Sequence, residues 1–180
     1  MNSLYTPRSL EETQADLDIM AANNLKHTPM QTYTVADRLE EKAAAHPDKL
    51  FLVYGEQQQT YAEVNAAANR VARAAHVAGL RCGDVVSVMM ENRLEFFHVW
   101  FGLAKLGVTI ALVNTQIRGR ALSHAIEAAR SKAFLVGAEC WSLFEEIDHR
   151  PADVQYWLVE DSETPSTAAM DVSSFSALLP

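Results

Sequence analysis

The chain has 180 residues and a net charge of −8, with 49% hydrophobic and 21% charged residues, which is enough apolar sequence for a substantial core. Its 15 basic residues face 23 acidic ones, a balance that excludes a general nucleic-acid binder, because neutralising phosphates takes clustered Lys and Arg. Cys82 and Cys140 lie far apart with no CxxC and no basic-then-apolar leader ahead of them, so neither a disulfide framework nor export is indicated, and a cytoplasmic location fits.

Residues 1–31 are polar and read as an N-terminal extension, with a helix from Ser9 to about Asn24 opened by Ser9, Glu11 and Glu12 and a break at Thr28-Pro29. The main domain is expected over residues 32–180. From Thr34, VADRLEEKAAAHP predicts an amphipathic helix with Val35, Leu39 and Ala43 on one face, ending before Pro47. LFLVY (50–54), the turn Gly55-Glu56-Gln57 and QQTY predict a hairpin. Thr60-x-x-Glu63 is a capping box for an alanine-rich helix that Gly79 closes, of a composition suited to close packing on a sheet.

VVSVMM (85–90) is an unbroken apolar run, as expected of a strand covered on both faces. A helix from Leu94 to Leu106, apolar nearly all round and so expected to be buried, leads to VTIALV as a second covered strand. A helix through ALSHAIEAAR, the strand KAFLVG (132–137), a helix from Trp141 to about Asp148, the strand VQYWLVE (154–160), a Ser/Thr/Pro-rich loop and a short SSFSALLP segment complete the series. Strands alternating with helices imply right-handed crossovers and an α/β fold, a mostly parallel, doubly wound sheet with helices on both faces. The twenty residues from Leu94 to Val113 imitate a membrane span. Lys105 in the middle, and Gly107 ahead of β-branched Val108, Thr109 and Ile110, read instead as helix, stop, strand.

Ligands of an open α/β sheet sit beyond the carboxyl ends of its strands. Those loops offer Glu91, Asn92 and Arg93, then Asn114, Thr115, Gln116 and Arg118, then Glu139, Cys140 and Trp141. None is a self-evident site. There is no GxGxxG, and GLAKLGVT (102–109) has Val108 where a Walker lysine would stand. No GxSxG elbow or HExxH occurs, and the six histidines show no ligand spacing, so no nucleophilic or metal-ligating residue is expected from these patterns. Arg118 and Arg120, flanking Gly119 at a helix start, could contact a phosphate or an anionic lipid headgroup; solvated arginines behind a turn capped by Asn114 or Thr115 are the plainer reading.

Three strings together resemble a family. QTYAEVN (59–65) looks like the early Thr/Ser-Tyr-x-Glu-Leu motif of the adenylate-forming enzymes, through Thr60, Tyr61 and Glu63. GLRCGDVVSVMMENRLEFFHVWFG is similar to that family's next stretch through Gly79, Gly83, Asp84, Val86, Asn92, Glu95 and Phe96, and LAKLGVTIALVN to its Leu-Lys-Ala-Gly motif through Lys105, Gly107 and Asn114. Asn114 to His124, with Val113 where most members have Pro, looks most like the fatty acid transport protein and very-long-chain acyl-CoA synthetase branch; carnitine-, bile-acid- and medium-chain CoA ligases are the near alternatives.

The resemblance implies the N-terminal part of an AMP-binding acyl-CoA synthetase domain, incomplete in this chain. The family's reaction converts a carboxylate and ATP to an acyl-adenylate, then transfers the acyl group to the thiol of CoA. AMP is a far better leaving group than oxide, and Mg²⁺ with cationic side chains stabilises the phosphate charge. Fatty acid, CoA, ATP and Mg²⁺ are thus implied for a full-length enzyme, and none is expected to bind this chain tightly. The phosphate loop, the Mg²⁺-linked Glu, the ribose-binding Asp and the C-terminal lysine of the family have no counterpart in these 180 residues. The matching motifs are therefore expected to be mainly structural. A peripheral contact with the inner face of a membrane, and a homodimer or non-catalytic self-association module, stay open.

Overall fold

The computed structural model describes residues 9–24, 33–147, 149–160 and 173–174. The break at Thr28-Pro29, Asp148, the loop 161–172 and residues 175–180 lie outside them. The chain divides into two compact units, 1–33 and 34–180. In the first, α1 (Leu10–Asn24) starts as the sequence predicts: Ser9 Oγ accepts from Glu12 N–H at 3.1 Å and Glu12 Oε2 accepts from Ser9 N–H at 2.8 Å.

In the second unit, α2 (Val35–Ala45) is opened by a capping box between Thr34 and Asp37. Its buried residues are Ala36, Leu39 and Ala43, while Val35 is exposed, so the predicted face is rotated by one position at its first residue. β1 (Leu50–Tyr54) and β2 (Gln57–Thr60) form the expected antiparallel hairpin, turned at Gly55 with φ 59°. α3 (Tyr61–Val77) ends in a Schellman motif: Gly79 N–H donates to His76 O at 3.1 Å and Leu80 N–H to Ala75 O at 3.0 Å, with Gly79 at φ 92°.

β3 (Val85–Met89), β4 (Thr109–Leu112), β5 (Ala133–Gly137), β6 (Gln155–Val159) and the two-residue β7 (Ser173–Ser174) form one parallel sheet in the order β4-β3-β5-β6-β7. α4 (Leu94–Lys105) carries the chain from β3 to β4 on one side. α5 (Gly119–Ala129) brings it back past β3 to β5, and α6 (Trp141–Glu145), after a 3₁₀ turn at Ala138–Cys140, leads on to β6. The strand order therefore switches direction between β3 and β5.

Alternation along each strand feeds two cores. Val86, Val88 and Met90 join Leu135, Trp157 and Val159 beneath Val71, Ala75 of α3 and Val99, Leu103 of α4. Met89, Phe134, Val136 and Leu158 meet Leu122, Ile126 of α5 and Phe144 of α6 on the other face. This is the doubly wound α/β sheet read from the sequence. Burying residues as large as Phe134 and Phe144 completely is worth roughly 1.5–3 kcal/mol each.

Three expectations need correcting, and that for α3 needs extending. β4 is not covered on both faces: it ends the sheet, and Thr109 and Leu112 are exposed. α4 is not buried all round, because Trp100 is 39% exposed. The small residues of α3 serve a helix as well as the sheet: a Cβ on Gly102 of α4 would lie 2.4 Å from Val71 Cγ1 and 2.8 Å from Ala68 O, so glycine permits the contact. Finally, α6 stops at Glu145, earlier than the sequence pattern indicates.

Candidate functional site

The residues singled out in the sequence occupy three separate places. Thr60 ends β2 and caps α3: its N–H donates to Glu63 Oε2 at 2.7 Å, and its Oγ1 accepts from Glu63 N–H at 3.3 Å. The backbone N–H of Thr60, then its hydroxyl, hold the Glu63 carboxyl below its usual range. Tyr61 stacks on Phe51 with centroids 4.4 Å apart, fastening the hairpin to α3.

Gly83, Asp84, Lys105 and Gly107 gather at the amino end of the sheet. Gly83 N–H donates to Gly107 O at 3.0 Å, with both glycines in the left-handed region, at φ 87° and 69°. Asp84 Oδ2 accepts from Lys132 Nζ at 3.0 Å and from Arg81 N–H at 2.7 Å, and the Lys132 bond leads in lowering its pKa. The ammonium of Lys105, on a largely buried side chain, pairs with Glu40 of α2. Lys105 with Glu40 ties α4 to α2, Gly83 with Gly107 ties the turns ahead of β3 and β4, and Asp84 ties the first of these turns to Lys132 just ahead of β5.

Only the third group faces the end where ligands of such sheets bind. Asn92, following β3, and Asn114, following β4, line a groove of about 380 Å³ with Val88, Met90, Phe96, Leu112, Val113 and Thr115. Asn114 Oδ1 accepts from Gln116 N–H at 2.8 Å, the Asx turn that closes β4. Arg118 is the extended residue before α5, its Nη1 donating to Gln116 O at 2.9 Å, and Arg120 is exposed in the first helical turn. Gly119 between them has φ 51°.

The sheet also builds a cluster that the sequence offered only as scattered loop residues. At the switch between β3 and β5, the Arg93 side chain is 8% exposed. Its Nη2 donates to Val159 O at 2.7 Å and Nη1 to Glu160 O at 3.3 Å, both at the end of β6. Nη1 also lies 3.1 Å from Glu95 Oε2, and Nε 3.3 Å from Glu139 Oε2. That last contact is off the line of a hydrogen bond, leaving the buried Nε attracted mainly by charge. Glu139 Oε1 in turn accepts from Glu91 N–H at 2.7 Å. The carboxylate sits where a Cβ on Gly137 would be, 2.3 Å from that position.

One guanidinium thus ties the ends of β3, β5 and β6 to the first turn of α4. The opposite charges of Arg93 and Glu139 stand 46 residues apart, and only the β3–β5 pairing makes them neighbours. Beside the cluster Cys140 is buried, and burial, then the nearby Glu139 and Glu91 carboxylates, push its thiol up to about 11, which favours the protonated form at neutral pH.

The glycine run 102–109 forms the end of α4 and its stop, with Gly107 N–H bonded to Ala104 O and Val108 N–H to Leu103 O. Those amides are occupied and cannot cradle a phosphate. Among the described residues no three His, Cys, Asp or Glu side chains converge on a cation site. Among the described residues no helix is long and apolar enough to cross a membrane.

Residues 39–177 match the family model described as AMP-binding enzyme. The chain is similar to human long-chain fatty acid transport protein 6, with 38% identity over 134 residues, covering 72% of this chain and 21% of that protein. It is similar also to the medium/long-chain-fatty-acid–CoA ligase FadD6 of Mycobacterium tuberculosis, at 28% identity over 87% of this chain and 27% of the relative. Among solved structures, the N-terminal domain of FACL13 from Mycobacterium tuberculosis superposes with a TM-score of 0.64 and 27% identity, covering 71% of this chain and 34% of that one. The chain thus spans about a fifth to a quarter of the length of these curated relatives.

Proposed function

The chain belongs to the AMP-binding enzyme family, and from that premise we propose that it serves an ATP-dependent fatty-acid–CoA ligase that works through an acyl-adenylate, with long or very long chains as substrate. In this reading residues 32–180 are the scaffold of the family's N-terminal region and residues 1–31 an extension outside it. The observation that carries the proposal is the 38% identity to a long-chain fatty acid transport protein over 72% of the chain. The match with a fatty-acid–CoA ligase over 87% of the chain supports the same substrate class.

The chemistry supplied by bound ATP and Mg²⁺ is activation of the carboxylate as a mixed anhydride with AMP. What these 180 residues do is structural: they hold β3, β4 and α4 around an apolar groove and lock the switch point beside it. Alone they bind neither nucleotide nor CoA tightly and carry no catalytic residue. Any contact of the protein with anionic lipid at the inner face of a membrane falls to Arg118 and Arg120.

A chimera tests this. Residues 39–177 of this chain replace the matching region of FadD6, and fatty-acid-dependent exchange of pyrophosphate into ATP is measured. The folded chimera is expected to keep the exchange, and the isolated 180 residues to show none. Loss of exchange in a folded chimera, or robust exchange by the isolated chain, refutes the proposal.

One observation favours a second reading, a self-associating α/β module: the edge strand β4 presents Leu112 at 66% exposure. A scattering mass that stays that of a monomer at every concentration rules it out.

A further inference from the structure

A second cavity, of about 350 Å³, lies at the amino end of the sheet, between the last turn of α5 and the residues leading into β6. The groove of Asn92 and Asn114 is at the opposite end. A volume of this size falls within the range of roughly 300–1,000 Å³ usual for small-molecule sites. Ile126, Pro151 and Val154 give the cavity an apolar wall. Ser131, 5% exposed, fixes that wall to the sheet through a hydroxyl contact of 2.7 Å with Ser87 of β3.

Three charged residues share the lining: Glu127 and Arg130 at the end of α5, and Asp153 ahead of β6. Among the described residues no ion pair and no side-chain hydrogen bond engages any of the three. Arg130 is also, among the described residues, the non-glycine residue with a left-handed backbone, at φ 48°. Glycine makes that turn with less strain. The chain thus sets a guanidinium beside the cavity against the preference of its own backbone.

Charge selects the ligand. A simple anion drawn to Arg130 meets repulsion from Glu127 and Asp153, and a simple cation drawn to the carboxylates and to the negative end of the α5 dipole meets repulsion from Arg130. A molecule carrying both charges on an apolar body meets the opposite sign with each of them.

We propose that this cavity binds a small zwitterion, an apolar α-amino acid, with its carboxylate on Arg130, its ammonium toward Glu127 and Asp153, and its side chain against Ile126, Pro151 and Val154. Such a site does not depend on the ligase reading above, and its occupancy is measured separately from the exchange activity of the FadD6 chimera.

The 180-residue chain, isotopically labelled at its amides, is titrated with L-leucine, with isoamylamine, which lacks the carboxylate, and with isocaproate, which lacks the ammonium, and followed by NMR. Leucine is expected to move the amides of Ser131 and Val154 saturably and to leave those of Asn92 and Asn114 in place. Each singly charged probe is expected to bind about tenfold or more weakly than leucine, having lost one charge-assisted contact while a like charge still faces it. Arg130→Gly is expected to keep or raise the melting temperature, because glycine adopts φ 48° without strain, while leucine binding falls by about tenfold or more.

Overturning results are a singly charged probe that binds as tightly as leucine, no saturable shift at Ser131 and Val154, shifts of equal size at Asn114, or unchanged leucine binding in Arg130→Gly. If Arg130→Gly proves unfolded, Asp153→Asn supplies the same comparison at an exposed position ahead of β6, and unchanged leucine binding there overturns the proposal equally.

Discussion

Replacing Arg93 with Met removes the cation that, among the described residues, bridges the ends of β3, β5 and β6. The substitution keeps an unbranched apolar stem, so the loss falls mainly on the guanidinium. Two carbonyl oxygens, Val159 O and Glu160 O, lose their charged donor, and the carboxylates of Glu95 and Glu139 each lose the guanidinium they pair with. Breaking a fully buried ion pair by removing one partner costs about 3–5 kcal/mol. Here the carboxylate side chains keep 29% and 21% exposure, so water recovers part of that, and a loss of roughly 2–3 kcal/mol is expected. For a unit of this size the melting temperature should fall by about 5–10 °C. Urea unfolding followed by tryptophan fluorescence measures the change directly. Arg93→Lys keeps the charge but not the planar fork, and should recover only part, leaving about 1–2 kcal/mol missing. A loss under about 1 kcal/mol for Arg93→Met, or full recovery by Lys, would refute the view that geometry across the switch point, and not charge alone, does the holding.

Further expectations follow from single contacts. Gly102→Ala should destabilise by roughly 1–2 kcal/mol, as overpacking against Val71 and Ala68 outweighs the better helix propensity of alanine; a neutral or stabilising result in urea unfolding would show that α3 and α4 can separate freely. A thiol reagent should modify exposed Cys82 promptly and buried Cys140 only on unfolding, which a timed colorimetric titration resolves. Asp84 is held below the usual carboxylate range first by its hydrogen bond from Lys132. Its contribution is therefore complete above the ordinary Asp pKa and lost as pH falls through the lower folded value; Lys132→Met should flatten that acid limb of the stability profile. His98, whose Nε2 lies 2.7 Å from Gln59 Oε1, is lowered by burial, so its stabilisation is present above its ordinary pKa of 6.5 and lost as pH falls through the depressed folded value. Glu95 opposes that shift and Arg70 and Arg93 reinforce it. An NMR midpoint for His98 at or above 6.5 would contradict it.

Local signals determined the elements. Thr34 with Asp37, and Thr60 with Glu63, satisfy the orphan amides of their own helices, and Gly55, Gly79, Gly83 and Gly107 stand where the backbone turns left-handed. These are short-range demands, written within a few residues and readable without a fold. The unbroken apolar run of β3 likewise announced a strand with a layer on each face.

Position in the sheet was a different matter. VTIALV looks as apolar as VVSVMM, yet β4 lies at the edge and β3 inside, because the first crossover goes one way and the second returns past it. Strand order depends on contacts between distant segments, and local hydrophobicity does not encode it. The same holds for the site. The loops after the strands were identifiable from the sequence as the places to search, and Asn92 and Asn114 lay among them. That these two share a groove, and that Arg93 is spent on Glu139 and the end of β6 instead of being free for an anion, was decided only when the parallel pairing of β3 with β4 and β5 brought those loops together.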